Sequence, residues 1–436
     1  MRSLYWKGIN VVTDTSWGDT GKGKIIDVAA QDADLVIRYN GGPNAGHTVK
    51  NNFGEFKLHL IPSGIFNKKA LCVLATGVLV NPLSLVEEIK SLEAKGIRVS
   101  KKNLLISEDA HMIMPWHKIL DTLSETTKGS KKIGTTGQGI GPAKKDKVGR
   151  EGLLVGDLLK KDFKELFEKE FTRQQRLITF LAGKGEGSMD KKIIWQQLLQ
   201  AKALLSSMIT NVLAIIWDYQ DKKKNILGEG AQGALLDLDL GGYPFVTSSN
   251  PGVAGFTIAT GIQGKEVSNV VGVTKAYTTR VGEGPMPTEL KDKMGAYLQE
   301  KGFEVGVTTG RKRRCGWLDI PATKYGARIA GVTTIALTKL DVLDSLSKIK
   351  LCVGYTIDGK EIKSPTTFSS HIIEKAKPIY ETLPGWQEDT TVIRSFAKLP
   401  KNAKAYIARI EKLLFLPIDI ISVGPSREAT IYKQQR

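Results

Sequence analysis

The chain has 436 residues, 41% of them hydrophobic and 25% charged, with a formal charge of +18. So much apolar material can bury a large core and excludes a disordered or fibrous chain, and the length suggests about two or three domains or one elaborated α/β unit. Cys72, Cys315 and Cys352 are dispersed and form no C-x-x-C pair, which points to a reducing, cytoplasmic setting.

The N-terminal MRSLYWKGINVVTD contains no uninterrupted apolar stretch, so no secretion signal is expected. Residues 9–14 (INVVTD) predict a buried strand that runs straight into WGDTGKGKI, residues 17–25. Gly18, Gly23 and Lys24 keep the G-x-x-x-x-G-K spacing of a phosphate-binding loop. Two positions break that pattern. Ile25 stands where a Ser or Thr hydroxyl would hold Mg²⁺, and Asp19 places a carboxylate inside an anion cradle. A helix over 24–33 and a strand over 34–40 complete a βαβ start.

YNGGPNAGHT (39–48) follows directly and presents His47 beside Asn44 and Gly46, with small residues clearing space around the ring. A loop histidine near a phosphate loop can donate to a developing oxyanion. His59, in the alternating FKLHL segment, reads instead as a structural histidine. Strand-like 71–80 and helical LSLVEEIKSLEAKG continue the alternation, and 106–220 turns mainly helical around GTTGQGIGP (134–142), which carries Thr136. In KKDFKELFEKEF (160–171) the lysines interleave with acids as on a solvated helix face. No stacking-aromatic motif accompanies the basic clusters, so small anionic substrates explain the charge better than nucleic acid does. The most apolar run, 203–217, is too short to span a membrane and predicts a buried helix.

Strands are expected again at 225–230, 270–279 and 333–341, with the glycine-rich GEGAQGALLD (228–237) holding Gln232. VTTGRKRRCGW (307–317) groups Arg311, Arg313 and Arg314 after two threonines and a glycine, a set suited to clamping a carboxylate or phosphate bidentately. Thr338-Lys339-Leu340-Asp341 ends a strand, and a carboxylate there can accept from both N1–H and the 2-amino group of guanine. Joined to the phosphate loop, it favours GTP. Five such loops require a large polyanionic site. The architecture expected is α/β: a large, mostly parallel sheet with a P-loop-like GTP site, a helical insertion and a smaller C-terminal α+β region. Its approximate parts are 1–105 plus 221–280 for the sheet core, 106–220 for the insertion and 281–436 for the C-terminal region, within one unit.

The ordered set WGDxGKGK, GGxNAGHT, GTTGxGIGP, EGAQGxLLDxDxGxYPxVTSSN, KAYTTRVGxGPxPTEL, TTGRxRRCGW, LTKLDVLD and GPxR resembles the adenylosuccinate synthetase family across about residues 9–430. The resemblance implies GTP-dependent ligation of L-aspartate to IMP through 6-phosphoryl-IMP, giving adenylosuccinate, GDP and phosphate on the way to AMP. It implies Asp19 as base and, with Gly46, as Mg²⁺ ligand, and His47 as acid. Lys22 and Gln232 complete the catalytic set, and Lys22 or Lys24 offsets the charge of Asp19. IMP contacts fall on Asp19, Lys22, Asn44, Ala45, Gly46, His47, Thr136, Gln232, Thr247 and Arg311, with Arg150 supplied across a homodimer. GTP contacts fall on Gly18 through Lys24 (Gly18, Asp19, Thr20, Gly21, Lys22, Gly23, Lys24), on Gly46, His47 and Thr48, and on Arg313, Lys339, Leu340, Asp341, Ser422, Val423 and Gly424. The aspartate loop matches Val307, Thr308, Thr309, Gly310, Arg311, Lys312 and Arg313.

The family usually carries Gln at Ser16, Glu at Thr20, Asn at Pro43, Arg at Gln138 and Asp at Ser426. Two rival functions are weighed. A same-fold ligase acting on dGMP would have lost the aspartate that this chain keeps at position 19. A GTP-binding regulator would have no use for the arginine loop or His47.

Overall fold

The computed structural model describes residues 5–51, 53–129, 132–182, 187–306 and 310–433. Its frame is a ten-stranded sheet. In chain order the strands are β1 (Ile9–Asp14), β2 (Leu35–Arg38), β3 (Leu71–Leu74), β4 (Leu104–Ser107) and β5 (Ile209–Thr210), then β6 (Ile226–Glu229), β7 (Asn269–Lys275), β8 (Thr334–Thr338), β9 (Ile418–Ser422) and β10 (Thr430–Tyr432). They lie side by side as β10-β9-β8-β7-β1-β6-β2-β3-β4-β5. Every neighbouring pair is parallel except β9 with β10.

Strands covered on both faces read as continuous apolar runs, and β1 is buried at all six positions. Alternate side chains enter two cores. Val12, Val36, Leu74, Ile106 and Val271 face one, while Val11, Leu35, Ile37, Val73 and Ile335 face the other. Helices cover both faces of the sheet. They include α1 (Lys22–Ala29), α2 (Pro82–Glu93), α3 (Pro115–Lys128), α4 (Ile140–Gly149), α5 (Phe163–Ala182) and α6 (Lys191–Leu205).

Two segments differ from the sequence reading. The run 203–217 is not one helix: α6 ends at Leu205, β5 follows, and α7 (Val212–Asp221) starts afresh. The side chain of Asn211 accepts from the Ala214 amide at 3.2 Å and caps the new helix, a local signal that apolar periodicity does not carry. The sheet also draws on segments assigned elsewhere, because β4 and β5 lie within or beside the helical stretch and β8, β9 and β10 come from the C-terminal third. Parallel pairing joins strands far apart in sequence, so a strand pattern gives no sheet address. A second, smaller sheet in that third is built from Leu318–Asp319, Lys348–Ile357, Lys360–Ile362 and Lys377–Pro384. Among the described residues no helix is long and apolar enough to cross a membrane.

From β1 the chain winds outward through β2, β3 and β4 to β5, returns to β6 beside β1, and then builds β7, β8 and β9 on the other side. Ligands of such sheets bind outside the carboxyl ends of the strands, where the winding reverses.

Candidate active site

The loops at those carboxyl ends line a single cleft of about 1680 Å³. Along the strand order it meets Ser422 and Gly424 after β9, Lys339 and Asp341 after β8, and Gly18–Lys24 after β1. Gln232 after β6 and Asn44–Thr48 after β2 follow. Five inter-strand steps of about 4.8 Å make this row roughly 24 Å long. That length accommodates two nucleotides end to end.

The phosphate loop turns through left-handed residues, Gly18 at φ 93°, Asp19 at 59° and Gly21 at 87°. A Cβ on Gly233 would stand 2.2 Å from both the Gly18 nitrogen and the Ser16 oxygen, so the β6 loop packs backbone against backbone on it. The Lys22 Nζ donates to the Gln232 carbonyl at 2.8 Å and to Asp14 at 3.3 Å. The Lys24 Nζ turns away from the loop and donates to Ser422 Oγ (2.6 Å) and to the carbonyls of Gly424 (2.7 Å) and Ala429 (2.9 Å). Burial brings its pKa down to about 7. The cation beside Asp19 is Arg313, whose Nη2 donates to Oδ1 at 3.0 Å.

His47 opens the strand His47–Asn51, and its Nδ1 lies 2.8 Å from Glu229 Oε1. Glu229 is fully buried at the end of β6 and also accepts from the Ser63 amide (2.8 Å) and hydroxyl (3.2 Å). Burial opposes its ionisation, but His47, Arg38 and the Ser63 amide hold its pKa below the usual range. Nδ1 therefore carries the ring proton. Burial, opposed by Glu229, lowers the pKa of His47. His59, expected to be structural, donates from Nδ1 to the Ala45 carbonyl at 2.7 Å and so braces the same loop.

Under Arg313 lies a second hub. Glu304 accepts from Lys275 Nζ and Arg313 Nη1, each at 2.7 Å, and from the Tyr277 hydroxyl. Burial resists the charge, yet Lys275, Arg313 and Lys339 bring the carboxyl down to about 2. On the opposite wall, Arg311 donates twice to the Gly134 carbonyl at 3.1 Å. The Glu125 carboxylate gathers the amides of Ile133, Gly134 and Thr135, shaping the segment that holds Thr136. At the β8 end, Lys339 Nζ donates to the Gly302 carbonyl at 2.9 Å. Asp341 Oδ1 is buried with no partner among the described residues. Burial, countered chiefly by Lys339, raises its pKa.

Of the residues expected at the site, Gly18 through Lys24, Asn44 through Thr48, Thr136, Gln232, Thr247, Arg311, Arg313, Lys339, Asp341, Ser422 and Gly424 all line this cleft. Leu340 and Val423 are buried in the core behind it. Gly310, Lys312 and Arg150 stand outside the lining; Arg150 is exposed, at φ 62°, past the end of α4. Val307, Thr308 and Thr309 lie outside the described residues. Sequence reasoning passed over Glu229 and Glu304. The first sits between two glycines at a strand end, a detectable cue, whereas nothing local marks the second.

The family model "Adenylosuccinate synthetase" matches residues 11–431. The adenylosuccinate synthetase of Caldanaerobacter subterraneus is 46% identical over 97% of this chain and 98% of its own length. That of Halothermothrix orenii is 47% identical over 98% and 99%. A fully ligated adenylosuccinate synthetase from Plasmodium falciparum superposes with a TM-score of 0.93 at 39% identity, covering 98% of this chain and 100% of the other. Succinoaminodeoxyadenylate synthetase from cyanophage S-2L, bound to dGMP and dATP, shares the fold at a TM-score of 0.62 and 17% identity, over 98% and 96%. With its phosphate loop, braced histidine and arginine wall meeting in one cleft, the chain belongs to the adenylosuccinate synthetase family, the C–N ligases that join L-aspartate to IMP at the expense of GTP.

Proposed function

We propose that this cleft runs the family's reaction with GTP along the β9–β8–β1 side and IMP along the β6–β2 side. The observation that carries this reading is the order of functional groups along the strand ends. A carboxylate oxygen without a partner among the described residues lies at β8, the acid-bearing phosphate loop at β1 and a carboxylate-held histidine between β6 and β2.

In this reading the Asp341 carboxylate accepts the two guanine N–H donors. O6 of IMP is a poor nucleophile until the N1 proton leaves, and Asp19, inside the phosphate loop, is the acceptor for that proton. Arg313 on Oδ1 fixes the direction of the Asp19 carboxylate. His47 keeps Nδ1–H on Glu229 and turns Nε2 to the phosphoryl group in transfer. It gains its second proton as phosphate anions enter and offset the cost of burial. O6 attacks the γ-phosphorus and GDP departs. The aspartate amine then attacks C6 and expels phosphate. Arg311 and Arg313 hold the aspartate carboxylates, and Lys22 with Gln232 backs the phosphate loop.

Among the described residues no three His, Cys, Asp or Glu side chains form a metal cage. Mg²⁺ commonly needs less, one or two carboxylates together with substrate phosphates. Asp19 fits that demand, since its side chain is 31% exposed and Oδ1 alone is engaged among the described residues. Asp19 and the Gly46 carbonyl would hold the ion, which would neutralise phosphate charge. Arg150 is exposed and stands outside the lining of its own cleft, which supports a homodimer in which it serves the partner's. Three buried free cysteines suit a reducing cytoplasm.

The test is to measure kcat/KM with GTP and aspartate for IMP and dGMP side by side, following the purine absorbance. A pocket shaped for hydrogen at C2 must desolvate the 2-amino group without a partner, at about 1–3 kcal/mol. IMP is therefore expected to lead by roughly ten- to a hundredfold. Equal or better use of dGMP would overturn the assignment of IMP. Mixing Arg150→Leu with Asp19→Asn protein should restore roughly a quarter of native activity through mixed dimers with one intact site. No recovery, with subunit exchange verified, would remove Arg150 from the partner's site.

A further inference from the structure

The last residue of β1 is an acid that none of the foregoing chemistry uses. Asp14 is fully buried, a costly place for a charge unless donors surround it. Five do. Oδ1 accepts from the Ser16 amide at 2.7 Å, the Ser16 hydroxyl at 3.3 Å and the Gly18 amide at 3.3 Å. Oδ2 accepts from the Thr20 hydroxyl and from Lys22 Nζ at 3.3 Å. All the donors belong to the loop Ser16–Lys22, on whose outer side Asp19 stands. The side chains of Ser16 and Thr20 thus converge on one carboxylate.

We propose that Asp14 is a positioning residue for the ligase reaction. It draws the phosphate loop around a buried anion and places the Lys22 ammonium. Because Gly18 N–H points inward to Asp14, the loop is tied from beneath just before Asp19, whose left-handed backbone needs such a constraint. Lys22 spans Asp14 and the Gln232 carbonyl, so its charge is already shared before any phosphate arrives. The Thr20 hydroxyl touches the carboxylate itself, and a glutamate at position 20 would bring its own carboxylate into the same space if Asp14 were shortened.

This inference rests on reading the loop as the phosphate cradle, and the variants separate the two ideas. Asp14→Asn, Asp14→Ala, Thr20→Glu and Asp14→Ala/Thr20→Glu are compared for kcat, for KM of GTP, IMP and aspartate, for GDP affinity and for Tm. A loop misplaced by about 1 Å costs on the order of a hundredfold in rate. Asp14→Asn should therefore lose about ten- to a hundredfold in kcat while GDP affinity holds within about threefold, since Lys22, freed from one anion, still meets the phosphates. The double variant should regain about tenfold over Asp14→Ala, and Thr20→Glu alone should be slow because two carboxylates crowd one space. A merely structural role would lower Tm without this rescue. The proposal is overturned if folded Asp14→Asn keeps kcat within twofold of the native enzyme, or if the folded double variant is no faster than Asp14→Ala. Asp14→Asn keeps the shape of the side chain and decides the matter even if Asp14→Ala does not fold. If Asp19→Asn stayed active, the phosphate-cradle reading itself would fall, whatever the Asp14 variants did.

Discussion

Beneath the phosphate end of the cleft, the three fully buried carboxylates Asp14, Glu229 and Glu304 each have several donors in place. At the proposed guanine end, Asp341 buries an oxygen that no group meets among the described residues, while Lys339 and Lys24 spend their hydrogen bonds on backbone carbonyls and Ser422. In the proposed reading the contrast follows from what each end must do. Charge develops during phosphoryl transfer, and dipoles fixed beforehand stabilise it without reorganising. Base recognition needs the reverse, an acceptor left open whose burial is compensated only when the right donors arrive.

The largest effect expected is at the phosphate end. Asp19→Asn removes the proton acceptor and should lower kcat about 10²–10⁴-fold, a range fitting a positioned base, with the fold intact by circular dichroism. Next come two carboxylate-to-amide changes that should act in opposite senses on the ligand-free protein. Glu304→Gln leaves Lys275 and Arg313 facing an uncharged partner and should cost about 3–5 kcal/mol by denaturant titration. The folded pKa of Glu304 is depressed, so its stabilisation is full above about 4.5 and is lost as pH falls from there toward 2, about 3 kcal/mol in all. In Glu304→Gln that acid-limb loss should shrink.

Asp341→Asn should hold or raise the Tm of the ligand-free protein, because the native carboxyl has a raised pKa and its ionised form costs stability as pH rises. The same change should weaken GTP by about 1.5–3 kcal/mol and favour XTP, whose 2-carbonyl accepts from the new amide. A lowered Tm together with unchanged GTP affinity would erase the proposed difference between the two ends. Smaller still, Glu229→Gln should slow turnover by about tenfold and move the acidic limb of the pH–rate profile, since the ring loses the anion that orients it.

The parts of this comparison visible in the sequence are those carried by short, contiguous signals. INVVTD running into WGDTGKGKI announced a strand and its glycine-rich loop, and TTIAL before TKLD announced a second strand whose following loop lines the same cleft. Both are local because a strand end and its following loop are covalently joined. What stayed hidden is non-local. Glu304 follows the helix Lys293–Lys301, and its value depends on Lys275 at the end of β7 and on Arg313 nine residues on. Sheet membership was hidden for the same reason, since β8 and β9 pair with strands that precede them by sixty residues or more. Asp14 differs: its donors Ser16, Thr20 and Lys22 follow within eight residues, yet a strand-ending acid gives no sign that its loop folds back on it.

The most direct test of the phosphate end uses GTP carrying oxygen-18 in the β–γ bridge, incubated with IMP but without aspartate. Reversible phosphoryl transfer to O6 would let the freed β-phosphate of GDP rotate and scramble the label back into GTP. The native enzyme should scramble it, and Asp19→Asn should not, although both retain GDP affinity. Scrambling by Asp19→Asn at the native rate would contradict the assignment of Asp19 as the base that readies O6.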